Sequence, residues 1–121
     1  MTVAAAERVA PDGDVFALDV SVDALEELRR TCTAPNVFYF LGSANVLPLP
    51  DDAVDAVLTL TELHDKPEAA REFWRVLRSG GRISICEPAD DDLEQVFREA
   101  GFGDVRSDGT ETAVYVTGTK P

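Results

Sequence analysis

The amino-acid order predicts an α/β fold: a mostly parallel sheet covered by helices and finished by an antiparallel C-terminal hairpin. Three observations carry this expectation. Short apolar runs rich in β-branched and aromatic residues alternate with amphipathic stretches along most of the chain. The amphipathic stretches open on residues that cap helices, and the later two close on glycine. The last two strand signals flank a turn sequence and have no helix between them.

In chain order, Val3–Val9 can form a short helix, which Pro11-Asp12-Gly13 ends. Asp14–Leu18 follows as a buried strand. Ser21 suits an N-cap, and Leu25 and Leu28 share one face of a helix reaching about Arg30. Asn36–Phe40, aromatic and β-branched, is the next strand. Residues 42–52 form a loop with two prolines, and Val54–Leu60 is another buried strand. Asp65 and Glu68 have capping-box spacing, with Pro67 in the first turn where its missing N–H costs little. Ala70, Phe73, Trp74 and Leu77 then mark an amphipathic helix that Ser79-Gly80-Gly81 should end. Ile83-Ser84-Ile85-Cys86 reads as a central strand. Asp90-Asp91-Asp92 is an acidic first turn, Leu93, Val96, Phe97 and Ala100 repeat at helical spacing, and Gly101 closes the helix. Asp104–Arg106 and Thr112–Thr117 flank Ser107-Asp108-Gly109, which predicts the hairpin turn.

At 121 residues and 45% hydrophobic content the chain can bury an ordinary core, and a single domain, 1–121, is expected. The formal net charge is −12, from 23 acidic and 11 basic side chains. Such a surface repels phosphate backbones, which argues against nucleic acid as a partner. Only Lys66 and Lys120 are lysines. Acidic excess with arginine favoured over lysine suits a halophilic protein, whose self-repulsion is screened by salt. No apolar run approaches the roughly 20 residues of a membrane helix. Met1–Arg8 lacks the basic-then-apolar order of a signal peptide, so a cytoplasmic protein without a membrane partner is expected. Cys32 and Cys86 lie outside any metal or redox motif, and no metal site is assigned; a Cys32, His64 and Cys86 set is the weaker alternative.

Two stretches carry a family resemblance. Asp14-Val15-Phe16-Ala17-Leu18-Asp19 is a strand ending on a carboxylate. Val57-Leu58-Thr59-Leu60-Thr61-Glu62-Leu63-His64-Asp65 leads through a helix to Arg75-Val76-Leu77-Arg78-Ser79-Gly80-Gly81-Arg82-Ile83-Ser84-Ile85-Cys86-Glu87-Pro88. Together they resemble the class I S-adenosylmethionine-dependent methyltransferases, in particular the small-molecule branch, from about Ala4 to Pro121 and best over Asp51–Pro88. The resemblance implies a Rossmann-like methyltransferase sheet, S-adenosylmethionine as cofactor and a small-molecule methyl acceptor.

In an open α/β sheet, ligands bind outside the carboxyl ends of the strands. Those positions are Asp19-Val20, Gly42-Ser43-Ala44, Thr61-Glu62 with His64-Asp65, and Glu87. The resemblance assigns cofactor binding to Asp19, Val20, Ser43, Ala44 and Thr61. Asp19 would accept both ribose hydroxyls, with capping of the next helix as its alternative role. Val20 would lie against adenine. Ser43 stands where the family usually has an aspartate before the alanine, and its hydroxyl is a weaker acceptor; a plain loop residue is its alternative. Backbone at Thr61 would face the amino-acid end of the cofactor and the substrate. His64 is the only histidine and has the chemistry of a general base, although a packing or capping role fits it better. No catalytic residue is assigned, because aligning donor and acceptor supplies much of the acceleration in methyl transfer.

Only thirteen residues precede Asp14, and the first glycine is Gly13. The family's first strand and its G-x-G-x-G loop therefore have no counterpart in this sequence, and an N-terminally truncated form of the sheet is expected. The missing strand would stand between those ending at Leu18 and Leu60, leaving unpaired backbone edges that are costly to bury. Three solutions are open: the inner strands pair directly, a second copy or partner chain supplies a strand, or an upstream segment does. The alternative function is a non-catalytic methyltransferase-like domain that works as a partner subunit or homodimer.

Overall fold

The computed structural model describes residues 1–60, 63–89 and 92–121. Its contacts divide into two compact units, Met1–Ser43 and Ala44–Pro121.

The N-terminal unit contains α1 (Thr2–Val9), β1 (Val15–Asp19), α2 (Val22–Thr31) and β2 (Val37–Leu41). β1 and β2 pair in parallel, in register from Val15 opposite Val37 to Asp19 opposite Leu41. Side chains alternate across a strand, so Ala17 and Val37 fall on the face that packs with Ala6, Leu28 and Cys32 from the helical segments. Asn36 ties this unit together. Its Nδ2 donates to Ala6 O and Gly13 O, both at 3.0 Å. On the opposite face Phe16 meets Phe38 and Phe40, with ring centroids 6.0 and 5.8 Å away. Ser21 caps α2 as its type predicts, its Oγ accepting from Ala24 N at 3.2 Å.

The C-terminal unit contains β3 (Val54–Thr59), α3 (Lys66–Val76), β4 (Leu77–Pro88), α4 (Leu93–Glu99), β5 (Gly103–Gly109) and β6 (Ala113–Thr119). The sheet order is β3-β4-β6-β5. β3 and β4 are parallel, and β6 runs antiparallel to both β4 and β5. This is the α/β arrangement the sequence predicts, with parallel pairs followed by an antiparallel finish. Phe73 of α3 and Phe97 of α4 are fully buried and stack at 6.3 Å, above Ile83, Ile85 and Val116 of the sheet. Each such side chain contributes about 2–3 kcal/mol by leaving water. Trp74 and Phe102 extend the cluster edge to face, with centroids 5.4 Å apart.

Two boundaries differ from expectation. The periodicity puts Leu77 on α3 and the stop at Ser79-Gly80-Gly81, whereas the helix ends at Val76 and Leu77 is extended, with ψ 140. Outside donors claim the last carbonyls. Asp52 N binds Arg75 O at 2.9 Å, Ala53 N binds Val76 O at 2.7 Å, and Lys120 Nζ binds Trp74 O and Leu77 O at 2.9 and 2.8 Å. Once these carbonyls point outward the helix cannot propagate.

The hairpin turn is also displaced. β5 runs through Ser107-Asp108-Gly109, and the reversal falls at Thr110–Thr112, where Thr110 Oγ1 accepts from Thr112 N and Ala113 N at 3.3 and 3.2 Å. A threonine hydroxyl organises this turn in the way glycine was expected to. Gly109 is needed for a different reason: a Cβ there would lie 2.9 Å from Ala113 O. Gly101 closes α4 as expected, at φ +109, a conformation that favours glycine.

Candidate functional site

Asp19 is the last residue of β1, and its backbone carbonyl accepts from Gly42 N at 2.9 Å. That bond brings the two strand ends of the N-terminal unit together, so Asp19, Val20 and Ser43 share one edge. The Asp19 side chain is half-buried, and its Oδ1 accepts from Ser21 N at 2.9 Å. Among the described residues nothing donates to Oδ2. Ser21, not Asp19, supplies the side-chain cap of α2. The carboxylate therefore has one oxygen held in a local turn and one left for another donor. Val20 is 72% exposed beside it, an apolar surface at the same strand end. Ser43 is half-buried.

Ala44 opens the C-terminal unit and packs against its core. Thr61 lies outside the described residues, as do Glu62, Asp90 and Asp91. His64 is exposed, and its carbonyl accepts from Asn45 Nδ2 at 2.8 Å. Asp65 is the N-cap of α3, its carboxylate accepting from Glu68 N at 3.2 Å.

At the strand ends of the C-terminal unit, Glu87 is 2% exposed, the one buried charged side chain among the described residues. Its Oε1 accepts from Leu63 N at 2.7 Å, and its Oε2 lies 3.7 Å from Lys66 Nζ. Asn45 Nδ2 donates to His64 O and, at 3.1 Å, to Asp65 O. Three segments thus meet at residues 63–66. Asn45 received no role from sequence reasoning. Glu87 was named only as a strand end, yet Ile83, Ile85 and Glu87 share one strand face, so period-two spacing already puts the carboxylate on the core side.

The loop from Leu47 to Asp51 is held against α3. Leu47 N donates to Glu72 Oε1 at 2.9 Å, while Arg75 donates to Leu47 O, Leu49 O and Asp51 Oδ1 at 3.1, 2.7 and 3.0 Å. The Arg75 hydrogen bond, helped by Leu47 N, holds the Glu72 carboxyl below its usual range, and the guanidinium of Arg75 is raised in turn, first by Glu72. A recess lined by Glu26, Arg29 and Arg30 lies on α2 toward its C-terminal end, away from Asp19.

β1-α2-β2 and β3-α3-β4 are each a parallel strand-helix-strand unit, which defines an open α/β class whose ligands bind outside the carboxyl ends of the strands. The comparisons with known proteins narrow it. A methyltransferase-domain family profile matches residues 1–81. The ubiquinone/menaquinone biosynthesis C-methyltransferase of Pasteurella multocida is 34% identical over 104 residues, covering 78% of this chain and 39% of that protein. The arsenite methyltransferase of Halobacterium salinarum is 34% identical over 101 residues, covering 74% of this chain and 26% of that protein. The chain belongs to the class I S-adenosylmethionine-dependent methyltransferases. It spans less than half the length of these curated relatives.

Solved structures agree on the fold. A Listeria monocytogenes S-adenosylmethionine-dependent methyltransferase superposes with TM-score 0.82 at 16% identity, covering 98% of this chain and 84% of that one. A Haloferax volcanii methyltransferase in complex with its activator protein gives TM-score 0.82 at 18% identity, covering 98% and 76%. The cyclase SpnF gives 0.77 at 19% identity, covering 96% and 70%. One fold therefore carries more than one chemistry.

Proposed function

We propose that this chain is an S-adenosylmethionine-dependent methyltransferase, or the bulk of one, that transfers a methyl group to a small molecule. The carrying observation is Asp19: a half-buried carboxylate at a strand end with Oδ1 committed to Ser21 N and Oδ2 open to a further donor. In this reading Asp19 receives the ribose hydroxyls, Val20 lies against adenine, and Ser43 with the Ala44 backbone reads the ring edge. Thr61, which lies outside the described residues, is assigned by the resemblance to the amino-acid end. The residues present fit the nucleoside half, with a hydroxyl at Ser43 where the family places a carboxylate. When bound, the cofactor's sulfonium supplies both the activated methyl and its own leaving group, so the protein's work is to hold donor and acceptor in line.

The relatives named for quinone and arsenite methylation support a small-molecule acceptor. Among the described residues no helix is long and apolar enough to cross a membrane, which is compatible with a cytoplasmic setting. The test is calorimetry with S-adenosylhomocysteine on the wild-type chain and on Asp19→Asn. Asparagine keeps an acceptor for Ser21 N and removes the charge, so folding should persist while affinity falls about 100-fold, the loss of one or two charge-assisted hydrogen bonds. Equal affinities would sink the assignment of Asp19.

A second reading, in which a second copy or a partner chain completes the sheet, is supported by the pairing pattern. Among the described residues β1 pairs only with β2, and β3 only with β4, so each has an edge of unpaired amides and carbonyls. The Haloferax volcanii methyltransferase of similar fold is itself in complex with an activator protein, which supports this reading.

A further inference from the structure

We infer that Glu87 and Asn45 are positioning residues that hold residues 63–65, the entry to α3, in their working conformation. This rests on the methyltransferase reading for its purpose, but on geometry alone for the clamp. A carboxylate carried into a core needs compensation. Glu87 finds it in a backbone amide: Leu63 N donates to Oε1 at 2.7 Å, and Lys66 Nζ stands 3.7 Å from Oε2. Leu63 is anchored a second time by its own buried side chain, which joins Ala69, Phe73 and Ile85 in the core. Asn45, two residues after Ser43, grips the same segment through its carbonyls, His64 O and Asp65 O. Asp65 at φ 36 is the tight corner this grip stabilises before α3 begins.

The Leu63 amide is thus fixed by the end of β4, and the His64 and Asp65 carbonyls by Asn45. The residues that follow β3 are where a methyl acceptor and the amino-acid end of the cofactor meet in the proposed function. Residues 64 and 65 are tied through Asn45 to the segment that Ala44 opens. A shift of about 1 Å in such a loop is enough to cost catalysis heavily. Neither Glu87 nor Asn45 need touch substrate for this.

Hydrogen exchange and calorimetry together test the clamp. In Glu87→Ala the Leu63 amide should exchange at least about tenfold faster, the change one lost buried hydrogen bond carries, while Ala70 and Phe73 amides in α3 keep their protection. Glu87→Gln retains an acceptor and should restore Leu63 protection. In Asn45→Asp, which loses the donor, S-adenosylhomocysteine affinity should fall about tenfold with the melting temperature little changed. Unchanged Leu63 exchange in Glu87→Ala, or loss of protection throughout α3, would overturn the clamp. If Leu63 responds as expected but wild-type protein takes up no S-adenosylhomocysteine, the clamp stands and the methyltransferase reading falls. Asn45→Asp binding as tightly as wild type would remove Asn45 from the positioning role.

Discussion

Lys120→Met should be among the most damaging single changes outside the aromatic core. The Lys120 side chain is 12% exposed, and its Nζ reaches Trp74 O at 2.9 Å, Leu77 O at 2.8 Å and Asp52 Oδ1 at 3.1 Å. It also lies 5.0 Å from the Trp74 ring centroid. Methionine preserves most of the stem, so the loss is the ammonium and not the packing. A hydrogen bond from a charged donor is worth about 1.5–3 kcal/mol, and two such bonds to helix-end carbonyls are lost. The Asp52 pair adds little because that carboxylate is exposed. Recovering the ammonium's hydration offsets part of the loss. The net cost is about 2–4 kcal/mol, or a melting temperature lower by about 8–16 °C for a chain of this size. Circular dichroism melting and urea midpoints measure it, with Arg106→Met as control, since its pair with Asp104 joins two exposed side chains. If both variants melt within about 2 °C of wild type, Lys120 does not close α3 and the account of that helix end is wrong.

Glu72→Gln should cost stability in a pH-dependent way. The folded carboxyl of Glu72 titrates below its ordinary 4.5, so its contribution is present above that value and fades as pH falls through the folded value. The gap in urea midpoints between wild type and variant should be full near pH 6 (about 1.5 units above that value) and close in acid; a constant gap would refute the Arg75 clamp on the loop. The net charge of −12 predicts that molar salt raises the melting temperature relative to low salt, and a fall would end the halophilic interpretation. For the partner reading, light scattering should show a species of twice 13.1 kDa, and monomer alone at every concentration would exclude the homodimer.

Much of the architecture was legible because its signals are local. Ser21, Asp65 and Gly101 act at the helix ends their residue types predict, since capping depends on neighbours three or four residues away. The period of Phe73, Phe97 and the two central isoleucines found the core. What escaped depends on distant residues. Nothing near Leu77 in sequence says that Lys120 and the Asp52-Ala53 backbone take the carbonyls of α3. Nothing near Asn45 says that it meets His64 and Asp65. The site divides in the same way. The place of Asp19 at a strand end was readable from the sequence, whereas the competition between Asp19 and Ser21 for the capping role needed atomic positions to resolve. Glu87 lay between these cases: its face was legible from alternation, its partner Leu63 N was not.

A two-dimensional amide NMR titration of the wild-type chain with S-adenosylhomocysteine tests cofactor binding at the ends of β1 and β2 directly. Saturable shifts should centre on Asp19, Val20 and Ser43, with little change at the α2 recess formed by Glu26, Arg29 and Arg30. No shifts at millimolar ligand, or shifts confined to residues away from the ends of β1 and β2, would contradict binding there.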